Sequence, residues 1–255
     1  MESRNPVLSR RNAFSGGGAP PSVDQLEAMY NAPSSAEQPR MTIDSVVLRT
    51  AITLGVLVAS GAVAWVLNFG IPIAIVALIT ALVLGLVVAF KRVTSPPLIL
   101  AYAAAEGVVL GVISHVFESF YSGIVTQAVL GTVAAFVAML VAYSTRLIRV
   151  TPKFTKIVIG AGAGLVLLML VNLVSYMFLP EGIGIRTDSG LGIAFSLIAL
   201  VVGCLFLALD FDMIEKGIAH GAPEKESWLA AFGLTVTLVW IYLEILRLLS
   251  YFRGD

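Results

Sequence analysis

Charged side chains are scarce in this sequence. They make up only 13% of its 255 residues, whereas 58% of the residues are apolar. A soluble domain is typically about 45–50% apolar and about 25% charged, so the composition argues against a soluble enzyme or a disordered chain. The formal net charge is zero, which leaves no overall positive field to attract nucleic acid. The composition instead favours a helical bundle surrounded by lipid.

Residues that bind metals or act as nucleophiles are also scarce. Cys204 is the single cysteine, so it cannot form a disulfide within the chain. His115 and His220 are the only histidines and cannot supply a three-histidine or HExxH zinc site. No GxSxG nucleophile motif is present. We therefore expect no enzyme activity and no cofactor, and no resident metal site is evident.

The first 45 residues differ in composition from the rest of the chain. They contain glycine- and proline-rich stretches with scattered charges, and such a segment buries too little apolar surface to offset the entropy of ordering. We expect residues 1–45 to form a flexible cytoplasmic tail with one short helix at 22–30. Arg4, Arg10 and Arg11 precede no apolar run, which argues against a cleaved signal peptide.

Long apolar runs separated by short breaks fill residues 46–255. About 20 apolar residues are needed to cross the hydrocarbon core of a bilayer, and the alternation typical of barrel strands is absent. The sequence therefore predicts an all-α integral membrane protein with a seven-helix bundle. The predicted helices lie at about 51–69, 71–90, 97–117, 124–143, 157–179, 191–209 and 228–249.

Lysine and arginine are concentrated in alternate connections, which predicts the orientation of the bundle. Lys91 and Arg92 follow the second helix, and four more basic residues lie between the fourth and fifth helices. The opposite connections contain Arg186 as their only basic residue. The positive-inside rule therefore places the N-terminus in the cytoplasm. The side of the C-terminus depends on whether the seventh helix, which contains Glu244 and Arg247, crosses completely.

Pairs of glycines four residues apart occur in two of the predicted helices. Gly107 and Gly111 lie in the third helix, and Gly160 and Gly164 lie in the fifth. Small residues at this spacing let helices approach closely in lipid. We expect both pairs to form helix contacts.

Glu106 lies near the middle of the third predicted helix. An ionisable group at the bilayer centre costs about 2.5–3.5 kcal/mol on insertion scales, so it requires a reason. Two interpretations are open: a protonated or hydrogen-bonded structural acid that faces the bundle, and a ligand for protons or cations. The second is favoured because no nearby position in the sequence supplies a basic partner.

Further acidic residues occur in the last two helices. Asp210 and Asp212 close the sixth predicted helix near the cytoplasmic boundary, where an interfacial acid pair and a functional pair are both compatible with the pattern. Glu244 and Arg247 are three residues apart on one face of the seventh helix. They are interpreted either as an interfacial ion pair or as a gating pair.

The expected topology orders these carboxylates across the membrane. Asp210 is expected near the cytoplasm, Glu106 near the midplane and Glu244 towards the outside. If all three face one cavity, the oxygen ligands suit protons or hard cations such as Ca²⁺. We expect Ca²⁺ to bind transiently at Asp210 and Glu106, and pH to control the series, because protonation neutralises it.

Three segments together resemble the Bax inhibitor family, also called the transmembrane Bax inhibitor motif family. They are Ala105–Gly111 (AEGVVLG), Leu209–Glu215 (LDFDMIE) and Trp240–Leu249 (WIYLEILRLL). No one motif is highly specific, and the order and spacing carry the likeness over about residues 46–253. The small-residue composition and the long tail are similar to bacterial members of the actinobacterial branch.

The resemblance implies six helices around a central seventh and a pH-sensitive calcium leak. It also implies a sensor made of two aspartates, one of which matches Asp210. The second would lie ten residues before Arg247, where this sequence has Thr237. Asp212 is a candidate replacement for the missing carboxylate. The family's basic residue after the second helix matches Lys91 or Arg92, and a salt bridge from it to Asp210 is plausible.

Two functions are therefore considered. The first is a pH-sensitive leak for cations, with Ca²⁺ or H⁺ as the ion, in a bacterial inner membrane. The second is a regulatory protein that binds a membrane protease or another membrane protein of a stress pathway through the N-terminal tail or the cytoplasmic loops. Deletion of residues 1–45 separates them, because a leak should survive it. The lipid bilayer is a partner in both cases, and nucleic acid in neither.

Overall fold

The computed structural model describes residues 39–254, which fold into seven helices. All seven are long and apolar enough to cross a membrane. Within these residues the only strand-like pairing is an isolated bridge between Arg40 and Pro223. The prediction of an all-α membrane protein with seven helices is confirmed. The helices are α1 (Ile43–Val66), α2 (Ile71–Lys91), α3 (Pro96–Phe120), α4 (Ile124–Ser144), α5 (Pro152–Ser175), α6 (Gly190–Ala219) and α7 (Glu226–Arg253).

Local capping chemistry explains where several helices begin. Thr42 and Ser45 form a capping box at the start of α1, in which each side chain accepts a hydrogen bond from the other residue's backbone N–H. Helix α5 begins at Pro152, after the Thr151 hydroxyl accepts a hydrogen bond from the Phe154 N–H. Residues 1–38 of the tail interpreted as flexible, together with its expected short helix at 22–30, lie outside the described residues.

Helix α6 continues to Ala219, ten residues past the end expected at Leu209. The extension carries charge, and Lys216 donates a hydrogen bond of 2.6 Å to Asp212 one turn earlier. Charged residues end an apolar run but do not end a helix, because a helix pairs its own backbone groups wherever it lies. Asp210 consequently lies within a continuous helix and not at its end.

Helix α7 packs against α1, α3, α4 and α6. Its buried residues occur along most of its length, from Ser227 near its start to Ser250 near its end. These contacts bury much of α7 against four other helices. The complete ring of six helices around α7 that the family resemblance implies stays a prediction.

Glycines allow α1 and α3 to cross at very short range. A Cβ atom on Gly61 would lie 3.0 Å from the Gly107 carbonyl oxygen, and one on Gly111 would lie 2.9 Å from the Gly61 Cα. The close contact expected of Gly107 and Gly111 is therefore present. In α5 the expectation does not hold among the described residues, because a Cβ atom on Gly160 or Gly164 would meet no atom of another helix within 4 Å.

Replacing Gly107 with alanine is expected to lower the free energy of unfolding by about 1–3 kcal/mol. The new Cβ would lie 2.9 Å from the Leu57 carbonyl carbon and would meet the Ser60 hydroxyl. The matched control is Gly160→Ala, which adds the same atom where there is space and should be neutral or slightly stabilising. Thermal unfolding in detergent micelles measures both. Equal stability of the two variants would contradict the described crossing.

The segment before α1 is held against the loop that joins α6 to α7. The Met41 N–H donates to the Ala222 carbonyl at 2.8 Å, and the Glu224 N–H donates to the Pro39 carbonyl at 2.8 Å. Arg49 in α1 binds the Glu224 carboxylate at 2.6 Å. The backbone at residues 39–41 is thus fixed at the α6–α7 end of the bundle.

Candidate functional site

Asp210 in α6 faces Thr237 in α7. The Thr237 hydroxyl donates a hydrogen bond of 2.7 Å to Asp210 Oδ2. One turn earlier on α7, a Cβ atom on Gly233 would lie 3.4 Å from Asp210 Oδ1, so the glycine makes room for this oxygen. Oδ1 has no hydrogen-bond partner among residues 39–254. One oxygen of the carboxylate is therefore held by the protein, and the other has no polar partner among these residues.

Thr237 occupies the position where the family resemblance implies the second sensor aspartate. The structure shows that this position does face Asp210. A hydroxyl stabilises an ionised carboxylate by donating a hydrogen bond, whereas a second carboxylate would repel it or share its proton. This chain therefore carries one carboxylate and one donor at this contact.

Glu106 lies at nearly the same depth as Asp210. The Tyr102 ring packs on Phe232 with centroids 4.9 Å apart, so the first turns of α3 and α7 lie at one end of the bundle. Glu106 is ten residues after Pro96, about 15 Å along α3, and Asp210 is nine residues before Ala219, about 14 Å along α6 from the same end. The two carboxylates thus share one level of the bundle, and the position of that level relative to the cytoplasmic boundary stays a prediction.

The Glu106 side chain is half-buried and carries no ion pair or hydrogen bond within the part of the chain that the structure describes. A membrane-embedded acid without a basic partner is costly unless it binds a proton or a cation. This environment argues against a hydrogen-bonded structural acid and leaves open a protonated acid and a ligand for protons or cations.

The other residues proposed around Asp210 lie elsewhere. Asp212 accepts a hydrogen bond from Lys216, and at about 100° per residue it projects from a different face of α6 than Asp210. Lys91 and Arg92 are exposed at the end of α2, and neither forms an ion pair within residues 39–254. The salt bridge to Asp210 is therefore absent among these residues. The side-chain contact that Asp210 makes is the hydrogen bond from Thr237.

Glu244 forms a separate charged cluster nearer the C-terminal end of α7. Its carboxylate is 2% exposed and accepts hydrogen bonds of 3.0 and 3.1 Å from Arg186, in the loop between α5 and α6. Arg247 approaches the same carboxylate at 3.5 Å. The pair of Glu244 and Arg247 expected from their spacing is present, but Arg186 makes the closer contact. The only signal of Arg186 in the sequence is that it is the sole basic residue in the connections on its side of the bundle.

The sequence pattern of the family described as Bax inhibitor 1 like matches residues 5–254. The chain belongs to the Bax inhibitor 1 like family. No curated protein matches it in sequence. Family membership and seven apolar helices make it a multi-pass membrane protein, and its assignment to a bacterial, actinobacterial branch stays a prediction.

The described part of this Bax inhibitor 1 like protein offers few ligands for a resident cation. Ca²⁺ prefers six to eight oxygen ligands, whereas the contact region offers the Asp210 carboxylate and Glu106 at a similar depth. Within residues 39–254 no group of three or more His, Cys, Asp or Glu residues could hold a metal ion. Two carboxylates completed by water suit transient binding better than storage of an ion.

Proposed function

We propose that this protein is a pH-sensitive leak for cations, with Ca²⁺ as the permeating ion. The observation that carries the proposal is that Asp210 and Glu106 lie at one depth and that neither is neutralised by a basic side chain within residues 39–254. Carboxylates that face the interior of a membrane bundle typically mark ion pathways. Membership of the Bax inhibitor 1 like family adds support. The N-terminus is proposed to face the cytoplasm of a bacterial cell.

The direct test is reconstitution of the purified full chain into liposomes that contain a Ca²⁺ reporter. Ca²⁺ should enter faster than into protein-free liposomes, and the rate should fall as the pH is lowered, because protonation removes the charge that attracts the cation. A rate equal to that of protein-free liposomes at every pH would contradict the proposal.

Replacing Thr237 with aspartate should move the pH of half-maximal flux upward by about one unit or more. Two carboxylates in contact share one proton and hold it more tightly than either does alone. The matched control is Thr237→Asn, which has the shape of aspartate without the charge and should leave the midpoint near that of the parent. The two flux–pH curves are compared in the same liposome preparation. Coinciding midpoints would exclude Asp210 as the group that titrates.

A second candidate is a regulatory protein that binds a membrane protease or another membrane protein of a stress pathway. The fixed contact between residues 39–41 and the α6–α7 loop favours it, because that contact joins the end of the N-terminal tail to the loop that follows Asp210. In this case ion flux is incidental and the tail or the loops carry the binding surface.

Deletion of residues 1–38 should separate the two candidates. The structure sets this limit, because a longer deletion removes Thr42, which caps α1, and Met41, which pairs with Ala222. The truncated chain should retain the parent rate of Ca²⁺ flux in liposomes. Full loss of flux with a folded α-helical spectrum would show that the tail is part of the conducting machinery.

A further inference from the structure

The loop between α5 and α6 folds into the end of the bundle. Ile185 is only 6% exposed and packs in an apolar cluster that includes Leu165 and Phe195. The Ile183 N–H donates a hydrogen bond of 2.9 Å to the side chain of Asn172, which is itself buried. This loop is therefore an ordered part of the bundle and brings the next residue, Arg186, inside.

Arg186 is held at its place from several sides. Both of its terminal nitrogens donate to Glu244, and its guanidinium lies over the Phe195 ring at 5.0 Å from the centroid. Its side chain is 15% exposed. Glu244 lies nine residues before Arg253, so the contact is about 14 Å from the C-terminal end of α7. The loop thus carries a positive charge deep into the bundle.

Two hydroxyl groups lie beside the contact between Arg186 and Glu244. The Ser196 side chain is fully buried and lies beside both Glu244 and Tyr251. The hydroxyls of Ser196 and Tyr251 approach each other, and Ser196 approaches Glu244, but neither hydroxyl oxygen completes a hydrogen bond of normal geometry within residues 39–254. Buried polar atoms are normally satisfied, so two such hydroxyls next to a carboxylate form an incomplete set of oxygen ligands.

We propose that Glu244, Ser196 and Tyr251 form a second cation site and that Arg186 occupies it as a tethered cation. Glu244 faces two positive charges, Arg186 from the loop and Arg247 from its own helix. With both in place the cluster has a net charge of about +1, which repels an entering cation, and release of Arg186 removes that excess. A permeating cation must then displace Arg186. This role in permeation rests on the proposed leak, whereas the occupancy of the site does not.

Cysteine labelling tests the occupancy without any flux. Ser196→Cys is made in a Cys204→Ser background, and the purified full chain in detergent is treated with a quaternary-ammonium methanethiosulfonate. We expect labelling at least tenfold faster with Arg186→Gln than with Arg186, and a smaller gain for a neutral reagent of similar size. Asp188→Cys, exposed on the same loop, should label at equal rates in both backgrounds. An unchanged Ser196→Cys rate, or equal gains for the two reagents, would overturn the proposal.

Flux through liposomes tests the role in permeation. Arg186→Gln should raise the Ca²⁺ flux several-fold, and Arg186→Lys should stay near the parent in both labelling and flux, because lysine keeps the charge. If Arg186→Gln unfolds, the test uses Arg186→Lys in its place. Labelling of Ser196→Cys in the Arg186→Lys background as fast as labelling of Asp188→Cys would overturn the proposal. Faster Ser196→Cys labelling without flux in any variant would support the site and contradict the leak. If Asp210→Asn abolishes the flux but Arg186→Gln leaves it unchanged, the role of Arg186 in permeation is contradicted and the proposed leak is retained.

Discussion

Replacing Glu244 with alanine is expected to lower the free energy of unfolding by about 3 kcal/mol, the low end of the range for breaking a buried ion pair. The carboxylate is 2% exposed and Arg186 is 15% exposed, so the loss leaves a buried guanidinium without its partner. The low end applies because Arg186 retains its contact with the Phe195 ring. Thermal or denaturant unfolding in detergent measures the change.

The matched control is Arg247→Ala. Arg247 is 31% exposed and lies 3.5 Å from a carboxylate that keeps Arg186, so its loss should change stability by about 1 kcal/mol or less. Glu244→Gln should fall between the two variants, since the amide oxygen still accepts one hydrogen bond. A Glu244→Ala protein as stable as Arg247→Ala would show that the cluster does not hold the α5–α6 loop.

Replacing Asp210 with asparagine is expected to lower the Ca²⁺ flux at least tenfold. A unit charge about 4 Å from a divalent cation contributes about 8 kcal/mol at an effective dielectric constant of about 20, and a tenfold change in rate requires only about 1.4 kcal/mol. Asparagine keeps the shape of the side chain, and its oxygen still accepts a hydrogen bond from Thr237. The change therefore removes the charge while it preserves the contact between α6 and α7.

Asp212→Asn is the matched control for this variant. Asp212 lies two residues away on the same helix and is already paired with Lys216 at 2.6 Å. It should retain most of the parent flux, measured at the same protein density in the same lipid. Equal losses in the two variants would mean that flux responds to the general charge of α6 and not to the carboxylate that Thr237 holds.

The helices could be predicted from the sequence because lipid imposes a simple rule. A span needs a long apolar run and must pair its own backbone groups, and both requirements can be read without knowing any contact. This rule does not predict the end of α6. Asp212 and Lys216 end the apolar run, but the hydrogen bond between their side chains supports a further turn of helix.

The partner of Glu244 could not be predicted from spacing. Arg247 is three residues away and so lies near it in any helix, whereas Arg186 reaches it only because the α5–α6 loop folds inward at Ile185. Helical periodicity contains no information about how a loop folds. The only trace of this contact in the sequence is that Arg186 is the sole basic residue in the connections on its side.

The position facing Asp210 came from the family resemblance and not from the pattern of residues. Thr237 is an ordinary residue for a helix interior, and nothing in its neighbourhood marks it. The hydrogen bond to Asp210 shows that the spacing implied by the family holds in this chain, although the residue type differs. The substitution changes the expected chemistry from a shared proton to a held carboxylate.

The most direct test of the central claim compares the parent with the double variant Glu106→Gln, Asp210→Asn in liposomes with a Ca²⁺ gradient. The parent should take up Ca²⁺ faster at neutral than at acidic pH, and the folded double variant should match protein-free liposomes at both. A double variant that conducts Ca²⁺ as fast as the parent would show that these two carboxylates do not form the pathway.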